Sequence, residues 1–239
     1  MKKLLIALAA SALFAFSASA QELDMVQIPG KNFKMLKTEV TQELYESVMG
    51  ENPTKFMESN NPVENVSWYD AIYFCNKLSI KKGLTPVYDV NGVTDPDEWG
   101  YIPHAGNSIK SKVNQKLKAN GYRLPTVEEW VYAAKGGEDY KYSGSDNLNE
   151  VGWHYNNSEY KVHPVAQKKA NGYGLYDMSG NVCEWCWDTD WDKDRNTLGG
   201  GYYSFGKSCL IIPQIRGHLP PEERSGGNGQ GFRIVCKAE

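Results

Sequence analysis

Turn-forming dipeptides recur along the whole chain and limit the length of its regular elements. Asn91-Gly92, Asn120-Gly121, Asn171-Gly172 and Ser179-Gly180 each favour a tight turn. The 23 glycines and 11 prolines leave only short stretches between turns, while aromatic residues make up 12% of the chain. We therefore expect irregular backbone held in place by large side chains. No internal repeat or low-complexity linker divides the sequence, which predicts one α+β domain rich in ordered loops.

Capping signals predict three helices. Ser67 and Asp70 have the spacing of a capping box, and so do Thr126 and Glu129. One helix is therefore expected to begin after Ser67 and another after Thr126, and a third is expected over about 42–49. Brief apolar runs predict short strands at 25–28, 33–35, 87–88, 202–203 and 232–235.

The first twenty residues have the pattern of a secretory signal peptide, 1–20. Lys2 and Lys3 precede an apolar run over 4–16, and the small residues Ala18-Ser19-Ala20 follow it. The apolar run is shorter than the roughly 20 residues that a transmembrane helix needs. We therefore expect an exported mature domain, 21–239, which is secreted, periplasmic or held at the cell surface.

Charge and cysteine content narrow the classes of partner and cofactor. Lys and Arg number 26 and Asp and Glu number 29, which gives a formal net charge of −3 without a basic cluster. Such a chain is not expected to bind nucleic acid by neutralising phosphates.

The five cysteines are an odd number for an exported chain, so at least one thiol stays unpaired. We expect mostly buried thiols, with one disulfide left open as an alternative.

Six segments follow one another in a characteristic order. They are MVQIPG from Met25, TEVTQELYESVMG from Thr38, NPVENVSWYDAIYFCNKLS from Asn61, GYRLPTVEEWVYAAKGG from Gly121, NGYGLYDMSGNVCEW from Asn171 and GFRIV from Gly231. Together they resemble the formylglycine-generating enzyme (sulfatase-modifying factor) family, and the resemblance covers nearly all of the mature chain. It implies a single C-type-lectin-like domain with little regular secondary structure.

The loop from Asp177 to Glu184 is a candidate cation site. A carboxylate, a glycine turn and a second carboxylate in one short loop can place oxygens around a hard cation. The family resemblance implies structural calcium, bound by the side chains of Asp177 and Glu184 and the carbonyl oxygens of Gly180 and Val182. The alternative is that both carboxylates only accept hydrogen bonds from turn amides, since four ligands fall short of the six to eight oxygens that calcium takes. No other cofactor is expected.

The cysteine pattern favours a non-catalytic chain. The family's oxygenase chemistry uses two cysteines about five residues apart, and paired thiolates suit Cu(I). In the corresponding window, 200–210, Phe205 or a neighbour takes the first position and only Cys209 remains. One thiolate cannot form a two-sulfur site. The alternative is a thiol- or copper-dependent oxidase that pairs Cys209 with Cys236 or Cys186.

The C-terminal region, about 199–233, combines fixed landmarks with residues that no local rule predicts. The landmarks are Gly200-Gly201, Arg216, Arg224 and Gly231-Phe232-Arg233. This arrangement is similar to the variable proteins of diversity-generating retroelements, in which a reverse-transcriptase process randomises selected codons near the C-terminus. The resemblance implies an exported, non-catalytic protein whose C-terminal side chains form a variable binding face.

The members of this candidate face are inferred from their placement in the region. Outward-facing loop side chains carry function more often than core residues do, and exposed apolar residues indicate a contact patch. The candidate positions are Tyr203, Ser204, Phe205, Gly206, Leu210, Ile212, His218, Leu219, Ser225, Gly226 and Asn228. We expect them to bind a protein or glycan in the extracellular space, as a paratope does. A drifting loop without a ligand, or a structural domain of the cell envelope, is the alternative.

Overall fold

The structure, a computed structural model, describes residues 22–104, 106–189, 193–212, 217–224 and 229–238. Its α-helices are α1 (Gln42–Met49), α2 (Trp68–Lys81), α3 (Val127–Lys135) and α4 (Leu148–Val151). Its strands are β1 (Met25–Gln27), β2 (Phe33–Leu36), β3 (Tyr88–Val90), β4 (Val113–Gln115), β5 (Cys183–Trp185), β6 (Arg195–Leu198), β7 (Gly217–Leu219), β8 (Gln230–Gly231) and β9 (Val235–Lys237). Short helices and strands joined by long ordered loops confirm the predicted α+β class.

The helices begin where the capping signals predict. The Ser67 hydroxyl accepts from the Asp70 amide at 3.0 Å and the Asp70 carboxylate accepts from the Ser67 amide at 2.9 Å, so the capping box of α2 is complete. Thr126 and Glu129 form the same pair of bonds at α3, which ends at Gly136 in the left-handed conformation that glycine tolerates. Within the described ranges, none of the helices combines the length and apolar character needed to cross a membrane.

The described residues form three small sheets, which connect distant parts of the chain. The first places β2 between β1 and β9, with all pairs antiparallel, and the second pairs β3 with β4. The third has the order β7-β6-β5-β8, in which β5 and β8 run parallel and Cys183 is paired with Gln230. This parallel pairing joins the Asp177–Glu184 loop to the end of the C-terminal region.

Three of the predicted strands differ from those observed, and the one predicted at 87–88 runs from Tyr88 to Val90. The last strand begins at Val235 rather than Phe232, because β9 is set by its pairing with β2. Tyr202 and Tyr203 lie in a turn, since the Ser204 amide donates to the Gly201 carbonyl at 2.8 Å and closes the chain on itself.

Buried tryptophans organise the core. Trp68 and Trp185 belong to the cluster of apolar side chains around α2, and Trp130 belongs to the cluster around α3. All three are fully buried. The indole N–H of Trp130 donates to Glu184 at 2.7 Å and that of Trp185 to the Val66 carbonyl at 2.9 Å, which satisfies their polar ends inside the core.

Candidate binding face

The loop after β6 begins with a turn that is stabilised by Ser204. The Gly201 amide donates to the Ser204 hydroxyl at 2.9 Å, and the Ser204 side chain is buried. The prediction that Ser204 faces outward is therefore wrong, because its hydroxyl is needed to close the turn. Its two neighbours, Tyr203 and Phe205, are exposed on either side of it.

Backbone groups attach this turn to the 153–163 loop. The Ser158 hydroxyl donates to the Tyr202 carbonyl at 2.7 Å. The Tyr155 amide donates to the Ser204 carbonyl at 3.0 Å. Since both acceptors are main-chain carbonyls of the C-terminal region, these bonds survive a change of the neighbouring side chains.

Four rings form an exposed group that we call the aromatic cluster, defined as Tyr155, Tyr160, Tyr203 and Phe205. The centroid of Tyr155 lies 4.6 Å from Phe205, 5.2 Å from Tyr160 and 5.4 Å from Tyr203. The exposed fractions are 47% for Tyr203, 57% for Phe205 and 53% for Tyr160. Sequence reasoning missed Tyr155 and Tyr160, because nothing in a single sequence pairs them with a loop so far downstream. Their only signal was two large aromatic residues in a turn-rich segment.

Leu210 and Ile212 line a groove of about 250 Å³ against the loop over 135–141. Ile212 is 60% exposed and Leu210 is half-buried. Ile211, between them, is buried in the cluster around α3, and its amide donates to the Lys141 carbonyl at 3.0 Å. Outward and inward side chains therefore alternate here, and the inward one fixes the loop.

The remaining candidate positions are less exposed or lie outside the described residues. Gly206 is half-buried, and a Cβ added there would lie 3.0 Å from the Tyr142 hydroxyl. His218 and Leu219 are half-buried on β7, where Leu219 packs against the cluster around α2. Leu219 therefore has a packing role as well. The candidates outside the described residues are Ser225, Gly226 and Asn228.

Arg224 connects the C-terminal region to the buried start of α2. Its Nε donates to Asp70 Oδ2 at 3.1 Å, and Asp70 also accepts from the Tyr101 hydroxyl at 2.8 Å and the His104 amide at 3.1 Å. Asp70 is fully buried, so the guanidinium supplies the positive charge that its carboxylate requires. Burial lowers the pKa of His104, whose ring lies beside this pair. Arg216, the other arginine landmark, lies outside the described residues.

Protein contacts occupy the second carboxylate of the predicted calcium loop. Glu184 Oε1 accepts from Arg233 Nη2 at 2.6 Å and Glu184 Oε2 accepts from Arg233 Nε at 2.7 Å. Both side chains are fully buried. A guanidinium therefore stands where a cation would have to approach Glu184, and this residue does not fit the role of calcium ligand.

The first carboxylate of that loop has a different environment. Asp177 Oδ2 accepts from the Ala166 amide at 2.7 Å, while Oδ1 is buried with no hydrogen-bond partner among the described residues. Burial raises the pKa of Asp177 to about 6. Arg233 thus occupies one of the four predicted ligands, Glu184, and no three His, Cys, Asp or Glu side chains in the described part of the chain are placed to hold a metal. Calcium at this loop stays a prediction.

A third carboxylate, Glu39, joins this region from the start of the chain. Its oxygens accept from the Asn181 side chain at 2.8 Å and from the Val182 amide at 3.0 Å. Burial raises the pKa of Glu39 well above its usual range. We call Glu39, Glu184 and Arg233 the polar centre, because these buried groups join β2, β5 and the end of the C-terminal region.

No disulfide joins any of the five cysteines, all of which lie in the described ranges, so the disulfide left open by the sequence is not formed. Cys209 is buried beside α4, Cys186 lies in the cluster around α3, and Cys236 packs against the cluster around α2. Burial raises the pKa of Cys209 to about 12. Cys209 therefore keeps its proton at neutral pH and lies in a different cluster from either thiol proposed to pair with it.

Comparisons with known proteins agree with the family that the motifs indicate. Residues 12–238 match the family described as the sulfatase-modifying factor enzyme 1-like domain. The chaperone protein LppX of Paenibacillus barcinonensis is 41% identical over 250 residues, which cover 92% of this chain and 86% of that protein. The formylglycine-generating enzyme of Mus musculus is 26% identical over 212 residues, which cover 74% of this chain and 45% of that protein.

A solved structure extends the likeness to three dimensions. Treponema denticola variable protein 1 superposes with a TM-score of 0.77 at 35% identity, covering 89% of this chain and 91% of that one. Its likeness, together with the family match, confirms the C-type-lectin-like fold of the formylglycine-generating type. This chain is therefore a member of the sulfatase-modifying factor enzyme 1-like domain family.

Proposed function

We propose that this protein is an exported, non-catalytic binding protein whose C-terminal loops form a contact face diversified by a retroelement. The observation that carries the proposal is the exposure of Tyr203, Phe205 and Ile212 on a loop whose backbone is bonded to a rigid frame. Large apolar side chains in water are unfavourable unless a partner covers them. The likeness to a Treponema denticola variable protein supports the same interpretation.

The physics of binding would be that of a paratope. Tyr and Phe offer large contact areas with few rotatable bonds, so little entropy is lost when a partner orders them. The frame beneath them is held by buried pairs such as Arg233 with Glu184, which keeps the loop ends in place. The expected partner is a protein or glycan outside the cell, and no cofactor takes part.

An oxidase of the formylglycine-generating type is the alternative from the same family. It would need two thiolates at one metal ion. The protonated, buried Cys209 and its separation from Cys186 and Cys236 among the core clusters speak against such a pair. Titration with Cu(I) under reducing conditions tests it: we expect no stoichiometric site, and a site that disappears in Cys209→Ser would support the oxidase.

A second candidate is a chaperone, which the 41% identity to chaperone protein LppX favours. A chaperone would use the exposed apolar side chains to hold many unfolded chains rather than one folded partner. It would slow the aggregation of reduced, unfolded client proteins, and its C-terminal region would be constant between isolates.

Sequencing separates these functions directly. We expect independent isolates to differ at outward positions of 199–233 and to agree elsewhere. We also expect a reverse-transcriptase gene and a near-copy of the segment encoding 199–233 close to the gene. Substitutions spread evenly along the chain, with no such copy nearby, would contradict diversification.

A further inference from the structure

We infer that the binding face has a fixed half, Tyr155 and Tyr160, which contacts the same folded protein partner as Tyr203 and Phe205. This inference rests on the proposed function and adds two points to it. It assigns contact residues outside the C-terminal region, and it names the class of partner.

Tyr160 occupies a backbone conformation that its own side chain disfavours. Its φ is 58°, and that of the preceding Glu159 is 54°. Glycine adopts this left-handed region freely, whereas a bulky residue there is strained. The Tyr160 side chain is also 53% exposed, so it does not fill the core. The ring packs against Tyr155 and Tyr203 at the surface, which leaves its outer face available to a partner.

Tyr155 links this fixed position to the C-terminal region. Its ring centroid lies 5.2 Å from that of Tyr160, and the ring contacts both Tyr203 and Phe205. Its amide donates to the Ser204 carbonyl at 3.0 Å. The rings of the two loops therefore form one continuous surface, and a partner that covers Phe205 also reaches the fixed tyrosines.

The packing of the rings points to a folded protein. Neighbouring centroids in the aromatic cluster lie 4.6 to 5.5 Å apart, so the rings fill the space between one another. A small molecule needs a concave site that encloses most of its surface. The outer faces of a filled cluster instead suit an apolar hollow on a protein, where buried aromatic residues are the usual hot spots. Lys207, two residues after Phe205 along the loop, is exposed, so a carboxylate at the edge of that hollow would be complementary to it.

A displayed library tests the inference with a defined probe. The full-length protein is displayed on phage with Tyr203, Phe205, Leu210 and Ile212 randomised, and binders are selected on purified lysozyme, a folded protein with a deep cleft. Tyr160→Gly is then introduced into the best binder. We expect affinity to fall by about tenfold or more, as for a hot-spot residue. We expect the melting temperature to stay the same or rise, because glycine relieves the strained φ.

Glu159→Gly is the matched control. It changes the neighbouring residue to glycine at nearly the same φ and removes only an exposed pair with Lys161 at 3.2 Å. We expect it to change affinity by less than about twofold. An equal loss in both variants would overturn the inference, because loop stiffness would then explain it.

The other outcomes separate this inference from the proposed function. If lysozyme binders keep their affinity with Tyr160→Gly, the contact role of the fixed half is wrong, whereas the variable binding face is still supported. Binders obtained only on an immobilised oligosaccharide overturn the assignment of a protein partner. A library that yields no binder on either probe would contradict the variable binding face. It would also contradict the contact role of Tyr155 and Tyr160, which depends on that face.

Discussion

The polar centre and the C-terminal face place large side chains in opposite environments. Arg233 and Glu184 are fully buried and bonded to each other through two pairs of atoms. Phe205 and Ile212 are more than half exposed, on a loop that is attached through its backbone. In the first region each side chain is held by buried hydrogen bonds, whereas in the second Phe205 makes a ring contact with Tyr155 at the surface. A substitution is therefore expected to lower the free energy of unfolding more in the polar centre than on the C-terminal face.

Arg233→Met offers the largest test of this comparison. It leaves Glu184 as a buried carboxylate without its guanidinium and also removes bonds to the Leu36 and Tyr176 carbonyls. We expect the free energy of unfolding to fall by about 3–5 kcal/mol, measured by urea denaturation. Lys37→Met, which breaks only an exposed pair with Asp24, is the control and should have no measurable effect. Equal effects of the two variants would contradict the comparison.

Arg224→Gln should have a smaller effect, because the Arg224 side chain is partly exposed whereas that of Arg233 is fully buried. Asp70 loses the guanidinium but keeps its bonds to Ser67, Tyr101 and the His104 amide. We expect a loss of about 1–3 kcal/mol in the free energy of unfolding. Arg224→Lys keeps the positive charge but lacks the planar guanidinium. Its free energy of unfolding should lie between those of the wild type and Arg224→Gln. No loss in either variant would mean that this anchor is unimportant.

His104 predicts a weaker, pH-dependent effect. Burial and Arg224 lower the pKa of its ring, although Asp70 and Glu51 favour the charged form. The ring nitrogen also contacts the Tyr45 hydroxyl at 3.1 Å. Below the ordinary value of 6.5, the unfolded chain binds more protons than the folded one, so stability falls as pH drops through this window. His104→Asn, which tolerates the positive φ of 62°, should reduce that fall in melting experiments across pH. An unchanged pH profile would contradict the assignment.

The smallest effect is expected at Ile212. Because its side chain is 60% exposed, Ile212→Ala should change the free energy of unfolding by less than about 0.5 kcal/mol. The adjacent Ile211→Ala should cost about 2–5 kcal/mol, since Ile211 packs in the cluster around α3. If calorimetry gives the two variants similar losses, the alternation of inward and outward side chains is wrong.

The parts of the fold that depend on nearby residues could be predicted from the sequence. The capping boxes Ser67–Asp70 and Thr126–Glu129 act over three positions, and both helices start where predicted. Strand positions were less accurate, because β9 is defined by pairing with β2 at the other end of the chain. Non-local pairing leaves little trace in a single sequence.

On the candidate face, too, features set by nearby residues could be predicted, whereas contacts with distant residues could not. Placement in a loop was enough to identify Tyr203 and Phe205 as exposed, but it could not show that Ser204 between them closes the turn. Tyr155 and Tyr160 could not be assigned, since their contacts with the C-terminal region exist only after folding. The sequence indicates which residues are exposed, whereas contacts between distant loops are known only from the folded structure.

Saturation mutagenesis of 202–212 in the full-length protein, scored by resistance to proteolysis, would show which side chains of this loop the fold requires. Its outward side chains should be free to change, because its backbone bonds and inward residues hold it. We expect broad tolerance at Tyr203, Phe205 and Ile212 and strong restriction at Ser204 and Ile211. Restriction as strong at the outward positions as at the inward ones would contradict the account.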